Sequence, residues 1–277
     1  MKLIPRAATI VLLLTFGALP FSGGEKAVIV ALIPDGLSQP ERMPLQNYLA
    51  GRMGNDVKLM TPESYAAAME GLGSGNIDFA CLGALTYVRA RAKIGVIPLV
   101  QRTEDLQFHS VFIAGAGTRI RSLRDLKGKT FAFGDINSTS SHLIPYVELK
   151  RAGLNPDTDF NFRYSGGHPL TVKLVEAGVV DAGVVDETVF RSMVSAGKVD
   201  GKKVRVIYTS KPFVDYVWVA RKGVPEAERE KFAAALLALK EGRNDDVLKI
   251  VRASKFIKAN DEEYAAVRQV AHELNMF

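Results

Sequence analysis

The sequence predicts an α/β protein with two lobes. Its 277 residues leave room for about two domains. A content of 47% hydrophobic and 24% charged residues is typical of a packed soluble protein and argues against a disordered or fibrous chain. Short apolar segments alternate along the chain with amphipathic segments of helical length, and this alternation is typical of βαβ units.

Residues 1–24 differ in character from the rest of the chain. Lys2 and Arg6 precede an apolar stretch at 7–19, and small residues follow it up to Gly24. This order is typical of a secretory signal peptide, so we expect residues 1–24 to be removed on export. The alternative is a membrane anchor, which is disfavoured because the apolar stretch is shorter than the ~20 residues that span a bilayer.

The exported part of the chain alternates strands and helices up to residue 221 and then becomes helical. Apolar stretches predict strands at 27–33, 57–60, 77–82, 95–100, 130–133, 160–164, 179–185, 203–208 and 216–221. Amphipathic spacing predicts helices at 41–52, 61–72, 84–93, 140–152, 170–177 and 188–196. The second of these helices is capped by Thr61, with Pro62 in its first turn. Three further helices, at 225–241, 245–253 and 261–274, form a tail with no strand between them.

The two α/β blocks are not separated by a low-complexity linker, which disfavours two domains in tandem. A chain that passes twice between two lobes fits the pattern better, and the segments 110–118 and 208–215 are the predicted passages. We therefore predict a first lobe from residues 27–112 and 214–277 and a second lobe from residues 113–213. The tail helices are expected to pack on the first lobe.

The sequence lacks the motifs of common enzyme classes. It contains no G-x-x-x-x-G-K-[ST], G-x-G-x-x-G or G-x-S-x-G motif, and its four histidines show no zinc-protease spacing. The single cysteine, Cys81, lies in an apolar predicted strand, where a buried small side chain is a simpler interpretation than a reactive thiol. The net charge of +6 is spread along the chain with no Lys/Arg-rich block, and it favours encounter with small anions. We therefore predict no catalysis, no cofactor, no metal ion and no nucleic-acid partner.

Four consecutive hydroxyl residues, Ser138–Ser141, form the most informative segment. They follow the predicted strand at 130–133 and Gly134, and they lie at the start of a predicted helix. The first turn of a helix presents unpaired N–H groups and the positive end of the helix dipole, and the hydroxyl groups add further donors. An oxyanion requires such a cluster of donors. The alternative is a Ser/Thr cap that holds no ligand.

Other strand-to-helix turns supply further candidates, because ligands of open α/β sheets lie at the carboxyl ends of strands. Tyr87 and Tyr65 each lie near the start of a predicted helix, and core packing is the alternative for both. His168 follows two glycines at a strand end and is either a structural or solvated side chain or an anion donor. Asp186 is either an N-cap or an acceptor for a ligand, and Asp215 lies at the second predicted passage.

Several segments taken together carry a resemblance to a known family. They are Leu82–Ala84 with Tyr87, Asp125–Lys129, Phe131–Asp135, Asn137–Ser140, Gly167–His168 and Val180–Glu187. They resemble the phosphate-, phosphite- and phosphonate-binding (PhnD-like) substrate-binding proteins of ABC importers. The resemblance runs in order along residues 28–240, and the segment Asn137–Ser140 is its most specific part.

The resemblance implies a type II periplasmic binding protein fold, in which two α/β lobes joined by a two-segment hinge close on a ligand. In place of the aromatic residue often found before Ser110, this chain has His109. By this resemblance, the residues that would hold the oxyanion are Ser138, Thr139, Ser140 and Tyr87. Asp186 and Asp215 would meet an amino group or an acidic proton of the ligand. The residues that the resemblance places in the pocket are Tyr65, Tyr87, His109, Ser138, Thr139, Ser140, His168, Asp186 and Asp215.

The implied function is the capture of a small phosphorus oxyanion, namely a phosphonate, phosphite or phosphate. A periplasmic monomer would close on this ligand and deliver it to the permease of an ABC importer. The alternative is a sensor, in which the same fold docks onto a sensor histidine kinase. An exported hydrolase is a third hypothesis, for which the sequence offers no motif.

Overall fold

The computed structural model describes residues 26–33 and 37–277, so the predicted signal peptide lies outside the described residues. The strands are β1 (Val28–Ala31), β2 (Val57–Met60), β3 (Phe79–Leu82), β4 (Ile97–Arg102), β5 (Ser110–Gly115), β6 (Thr130–Phe133), β7 (Asn161–Tyr164), β8 (Ala182–Asp186), β9 (Val204–Thr209), β10 (Val217–Ala220) and β11 (Phe256–Lys258). The α-helices are α1 (Gln39–Met53), α2 (Tyr65–Ser74), α3 (Ala84–Ile94), α4 (Ile144–Arg151), α5 (His168–Glu176), α6 (Glu187–Ser195), α7 (Glu226–Leu237), α8 (Asp245–Val251) and α9 (Ala265–Glu273). Within this part of the chain, no helix is long and apolar enough to cross a membrane.

The first sheet has the strand order β11-β4-β10-β3-β1-β2. β1 runs parallel to β2 and β3, whereas β10 is antiparallel to both of its neighbours, β3 and β4. All four residues of β10 are buried, as expected for a central strand covered on both faces. One face packs on α1, α7 and α8 through residues such as Phe79, Trp218 and Phe232, and the other packs on α3 and α9 through Leu85 and Val267.

The second sheet has the strand order β7-β6-β8-β5-β9. β6 runs parallel to β7 and β8, and β5 is antiparallel to β8 and β9. Buried aromatic residues such as Phe112 and Phe131 fill one face, and aliphatic residues such as Val172 and Val189 from α5 and α6 fill the other. The predicted α/β class with two lobes is confirmed, since each sheet has its own helices and its own core.

The chain passes between the sheets twice, and one predicted passage is wrong. Residues 110–115 form β5 inside the second sheet, so the first passage is the segment 103–109 and not the predicted 110–118. The second passage, 210–216, overlaps the predicted segment 208–215. The division into residues 27–112 with 214–277 and residues 113–213 stays a proposal.

The two passages are joined to each other by hydrogen bonds. Phe108 and Phe213 each donate a backbone N–H to the carbonyl of the other, at 2.9 and 3.0 Å, and their rings pack edge to face. Ser110 and Ser210 continue this pairing: the Ser210 N–H donates to the Ser110 carbonyl, and the Ser110 N–H donates to the Ser210 hydroxyl. The two segments therefore form a short ladder of their own between the lobes.

Two predicted elements differ from the structure. α2 begins at Tyr65 and not at Thr61, because the Oγ atom of Ser64 accepts the Ala67 N–H and caps the helix there. The tail is not purely helical, since β11 lies between α8 and α9 and pairs with β4 at the sheet edge. β11 has three residues, of which only Phe256 is buried, so its sequence shows no alternation typical of a strand.

Candidate functional site

Strand ends of the two sheets meet at the candidate site. β3 ends at Leu82 and leads through Gly83 into α3, and β6 leads through a loop into a π-helical turn at Thr139–Leu143. The Leu85 N–H, in the first turn of α3, donates to the Oγ1 atom of Thr139 at 2.9 Å. The lobes are therefore in direct contact where the sequence predicts a ligand between them.

Asp215, from the second passage, lies at the same contact. Its Oδ1 atom accepts the Ala84 N–H at 3.0 Å. A Cβ atom on Gly83 would lie 3.3 Å from both this oxygen and the Oγ1 atom of Thr139. Glycine at 83 thus gives the space for the two lobes to approach, and the first N–H groups of α3, which have no partner in the helix, are paired across the cleft.

The hydroxyl residues Ser138–Ser141, named here the hydroxyl turn, are all buried. The Oγ atom of Ser138 accepts the Ser141 N–H at 3.1 Å, so Ser138 does act as a cap. The Oγ atoms of Ser140 and Ser141 have no hydrogen-bond partner among the described residues. Because buried polar groups are almost always paired, capping explains only part of the turn, and two donors remain for another acceptor.

Gly134 allows the hydroxyl turn to fold back on β6. A Cβ atom at this position would lie 2.1 Å from the Oγ atom of Ser141, a separation that no real side chain reaches. The Gly134 N–H donates to the Ser141 carbonyl at 3.1 Å. The glycine at the end of the predicted strand is therefore required by a close approach.

His168 links the hydroxyls of two tyrosines. Its Nδ1 atom accepts the Asp186 N–H at 3.1 Å, so the ring proton of the neutral side chain is on Nε2. Nε2 lies 3.2 Å from the hydroxyls of both Tyr65 and Tyr216. Burial lowers the pKa of His168, which keeps the ring neutral. With Nε2–H donating, both phenolic protons are free to bond a ligand.

Asp186 satisfies both alternatives that the sequence leaves open. Its Oδ1 atom accepts the N–H groups of Thr188 and Val189 at the start of α6, which is an N-cap. Its Oδ2 atom is buried and has no partner among residues 26–33 and 37–277. Burial alone would raise the pKa of Asp186, but the charges of Arg252 and Arg102 and the hydrogen bond from the Val189 N–H lower it, so the carboxylate stays ionised.

The pKa of Asp186 is lowered, whereas that of Asp215 is raised. Burial raises the pKa of its carboxyl group to about 7, against the lowering by the Ala84 N–H and the Thr139 hydroxyl. The negative charges of Asp186 and Asp105 raise it further. The site thus combines one ionised carboxylate with one that titrates near neutrality.

The structure brings seven of the nine predicted residues together. Tyr65 contacts His168 directly, and the negative charges of Asp215 and Asp186 act on the Tyr65 hydroxyl. The seven are Tyr65, Ser138, Thr139, Ser140, His168, Asp186 and Asp215.

Tyr87 and His109 lie elsewhere. Tyr87 packs edge to face on Tyr264, and its hydroxyl donates to Asp261, which corresponds to the packing alternative. The Nδ1 atom of His109 bonds the Ser210 carbonyl at 2.8 Å, so its ring belongs to the ladder between the passages.

Sequence reasoning did not find Tyr216. It follows Asp215 directly and its hydroxyl lies beside His168, while its ring packs on Phe108 and under the guanidinium of Arg102. The only signal in the sequence is an aromatic residue next to a candidate aspartate at the start of a strand. Core packing is the commoner origin of that pattern.

The groups that face the cleft are hydroxyls, one neutral imidazole and two carboxyls. Among the described residues, no group of three or more His, Cys, Asp or Glu side chains is arranged to hold a metal ion. The partly buried Cys81 has its pKa raised to about 12 by burial, so its thiol stays protonated. The arrangement is suited to hydrogen-bonding an oxyanion.

Most of the chain matches the profile of one protein family. The profile of the periplasmic phosphonate-binding proteins of ABC transporters matches residues 36–264. The chain belongs to this family. The predicted family is thereby confirmed, and with it a substrate-binding protein of an ABC transporter, a class that is not enzymatic.

Relatives within the family share most of their length with the chain. It is 28% identical over 277 residues to a probable phosphite-binding protein, PhnD1, of Prochlorococcus marinus, covering 92% of each. The solved structure of that organism's PhnD1 in complex with methylphosphonate superposes with a TM-score of 0.84 at 27% identity, covering 91% of this chain and 99% of that one. The predicted type II periplasmic binding fold is confirmed. A tetrathionate sensor histidine kinase of Salmonella typhimurium is 24% identical over 176 residues, which cover 60% of this chain and 29% of the kinase.

Proposed function

We propose that this protein captures a small phosphorus oxyanion between its lobes and delivers it to the permease of an ABC importer. The ligand is a phosphonate, phosphite or phosphate. The observation that carries the proposal is the hydroxyl turn, in which the buried Oγ atoms of Ser140 and Ser141 have no partner among the described residues, beside the lobe contact that Thr139 makes with Leu85. The names of the relatives support it, since they describe phosphite binding and a methylphosphonate complex.

In this proposal the hydroxyl turn and the first lobe share the anion. Ser138, Thr139 and Ser140 donate to its oxygens. Tyr65 completes the pocket from the first lobe, and His168 completes it from α5 of the second lobe. We add Tyr216, because its hydroxyl shares the Nε2 atom of His168 with Tyr65. Tyr87 and His109 are left out, since their polar atoms are engaged elsewhere.

Capture is a closure reaction that needs no covalent step. The lobes rotate about the two passages, and the oxyanion exchanges its water shell for fixed neutral donors. We propose that the protein does this as a periplasmic monomer after loss of residues 1–24. Recovery of the full-length chain only from membranes would contradict this location.

The test is a ligand screen on the purified protein. Thermal shifts are measured with phosphate, phosphite, methylphosphonate, 2-aminoethylphosphonate, arsenite and sulfate, followed by calorimetry on each ligand that stabilises. A ligand that binds only the folded protein stabilises it by RT ln(1 + [L]/Kd), so a tight ligand gives a clear shift. A stabilising response to none of the phosphorus compounds would overturn the proposal.

A sensing role is the second candidate, favoured by the similarity to a sensor histidine kinase. In that case the liganded protein would dock onto a kinase instead of a permease. Stimulation of ATP hydrolysis by the reconstituted importer supports transport, and stimulation of kinase autophosphorylation supports sensing.

A further inference from the structure

Building on the proposed function, we propose that the buried ion pair of Arg102 and Asp105 holds the second passage in the position in which it meets the ligand. The pair lies where β4 ends and the first passage begins. The residues of the second passage at the cleft are Asp215 and Tyr216. Arg102 is thus a positioning residue, which affects oxyanion affinity through these two residues and not by contact with the ligand.

The pair is almost completely withdrawn from solvent. The side chain of Arg102 is 4% exposed and that of Asp105 is 0% exposed. The Nε atom of Arg102 donates to both carboxylate oxygens of Asp105, at 3.1 and 2.9 Å, and the Arg102 backbone N–H donates to Oδ2 at 2.9 Å. Because removing two charges from water is costly, replacement of such a pair by apolar side chains often leaves stability unchanged or raises it. Folding stability is therefore a weak explanation of this pair.

Both partners of the pair contact the second passage. The backbone carbonyl of Asp105 accepts the Asp215 N–H at 3.0 Å. The guanidinium carbon of Arg102 lies 5.2 Å from the centre of the Tyr216 ring and 5.7 Å from that of Phe108, distances typical of cation–π contacts. The two rings pack edge to face on each other, with their centres 5.4 Å apart. The pair therefore fixes both the backbone of Asp215 and the ring of Tyr216.

The same guanidinium is bonded to the tail of the chain. Its Nη1 atom donates to the carbonyl of Val251 at 3.2 Å and to that of Arg252 at 3.4 Å, at the end of α8. An arginine carries five N–H donors in a rigid planar fork, so it can bond a carboxylate and these carbonyls while its face stays on the rings. Arg102 therefore ties both passages to the body of the first lobe.

The contacts of the second passage in the cleft depend on where that passage lies. The Oδ1 atom of Asp215 accepts the Ala84 N–H at 3.0 Å. The Tyr216 hydroxyl lies 3.2 Å from the Nε2 atom of His168. Hydrogen bonds weaken steeply outside a narrow range of distance and angle. Since Asp215 and Tyr216 are adjacent in the chain, a shift of the passage would weaken both contacts together.

A double variant, Arg102→Met with Asp105→Leu, removes the pair without changing the net charge of the protein. We expect the free energy of unfolding to change little. Methylphosphonate and phosphite should bind about tenfold more weakly, a loss equivalent to about one hydrogen bond. Chemical denaturation and calorimetry on the same preparation measure the two quantities. A purely structural pair would give the opposite result, a loss of stability with unchanged affinity, and this would overturn the proposal.

The matched control is a second ion pair, at the other end of the strand that Tyr216 precedes. Arg221 follows β10, and its Nε and Nη2 atoms lie 3.0 and 2.9 Å from Oδ1 of Asp78. Asp78 also accepts the Ile29 N–H at 2.9 Å, so Arg221→Met with Asp78→Leu should lower stability. It should leave oxyanion affinity unchanged, because this pair lies at the far end of β10 from the second passage. An equal loss of affinity in the control would overturn the proposal.

Amide hydrogen exchange tests the positioning in the protein without ligand. The amide to follow is that of Asp215, whose N–H is bonded to the Asp105 carbonyl. Protection of an amide falls when its local structure opens more easily, so we expect this one to exchange about tenfold faster in the apolar pair variant. In the control variant it should stay protected. An unchanged exchange rate in the apolar pair variant would overturn the proposal.

Arg102→Lys covers the case in which the double variant does not fold. Lysine keeps the positive charge beside Asp105 but has no planar fork, so it cannot hold the carboxylate, the Val251 carbonyl and the two rings together. We expect the affinity to fall several-fold and the Asp215 amide to exchange faster. Full affinity together with an unchanged exchange rate would overturn the proposal.

The outcomes separate the two proposals. If the unmodified protein binds no phosphorus oxyanion, the proposed function fails, and exchange of the Asp215 amide still decides whether the pair positions the second passage. If the unmodified protein binds the oxyanion and both Arg102 variants bind it equally well, only this inference fails.

Discussion

The backbone N–H of Leu85 in the first lobe donates to the Oγ1 atom of Thr139 in the second, at 2.9 Å. The same oxygen and the Oδ1 atom of Asp215 each lie 3.3 Å from the position of a Cβ atom on Gly83, so the hydroxyl borders the carboxyl group as well. One side chain therefore both joins the lobes and borders the candidate ligand site. Since a ligand favours the conformation it binds best, loss of this contact changes affinity through closure as well as through direct bonding.

Replacement of Thr139 by alanine is expected to weaken oxyanion binding by about tenfold or more. The change leaves the buried Leu85 N–H unpaired in the closed form, which costs ~1–3 kcal/mol, and ~1.4 kcal/mol corresponds to a factor of ten. Calorimetry with the ligand found in the screen provides the measurement. Unchanged affinity in a folded Thr139→Ala protein would show that the pocket lies elsewhere.

Two matched variants accompany this test. Thr139→Ser keeps the hydroxyl and should retain most of the affinity. Ser141→Ala removes a hydroxyl one step further into the turn, packed against Gly134, and should weaken binding less than Thr139→Ala. The reverse order of effects would contradict the assignment.

A second contact between the lobes lies at the rim of the cleft. It should affect oxyanion affinity by stabilising the closed form, without touching the ligand. Arg89 in α3 donates to the side-chain oxygen of Asn137, and the Thr86 hydroxyl donates to the Asn137 carbonyl at 2.9 Å. We expect Arg89→Gln and Asn137→Ala each to weaken binding several-fold and to be non-additive, with a coupling of ~0.5–3 kcal/mol. Small-angle X-ray scattering should show a larger open fraction in both. Additive effects, or no effect, would show that the contact of Arg89 with Asn137 does not stabilise the closed form. Arg191→Gln, on an outer helix face, serves as the control.

Tyr87→Phe separates packing from ligand contact. Because the Tyr87 hydroxyl donates to Asp261, its removal should cost ~1 kcal/mol of folding stability and leave oxyanion affinity unchanged. Chemical denaturation and calorimetry on the same preparation give the two numbers. A large loss of affinity with unchanged stability would restore Tyr87 to the pocket.

The stability of the protein should fall in acid partly through His142. Burial lowers the pKa of its ring to about 4 from an ordinary value of 6.5, so the unfolded chain binds this proton first as the pH falls. The stability that the neutral ring contributes is therefore present above pH 6.5 and is lost toward pH 4, by up to about 3 kcal/mol at 1.36 kcal/mol per pKa unit.

His142→Gln tests this origin, because glutamine keeps an acceptor for the Tyr164 hydroxyl and has no titrating ring. Denaturation of both proteins between pH 4 and 7 should give a shallower dependence for the variant. Parallel curves would assign the acid sensitivity to other groups.

Sequence patterns predict the parts of this fold that depend on local signals. The strands at 57–60 and 130–133 have the predicted bounds, and α3 extends one residue beyond its predicted end, to Ile94. Gly95, with a positive φ of 69°, ends α3 in the left-handed conformation that favours glycine. These signals act within a few residues, so they can be read without the rest of the chain.

The parts that the sequence does not predict depend on distant partners. Which way Tyr87 points is decided by Tyr264 and Asp261, more than 170 residues away in the chain. Tyr216 becomes part of the site through His168 on the other lobe. β11 exists because β4 offers it an edge. In each case the local pattern is compatible with more than one outcome.

The central strand of the first sheet has a consequence for the order in which the chain folds. The strands of the second sheet come from one uninterrupted stretch, from Ser110 to Thr209, whereas β10 enters between β3 and β4 from residues 217–220. The ribosome makes the chain from its N-terminus, so β1 to β4 of the first sheet are synthesised early. The first sheet lacks its central strand, β10, until residues 217–220 have been made. The second lobe, although its synthesis begins later, is therefore the first to have all its strands. The first lobe can be completed only after β10 and β11 have been synthesised.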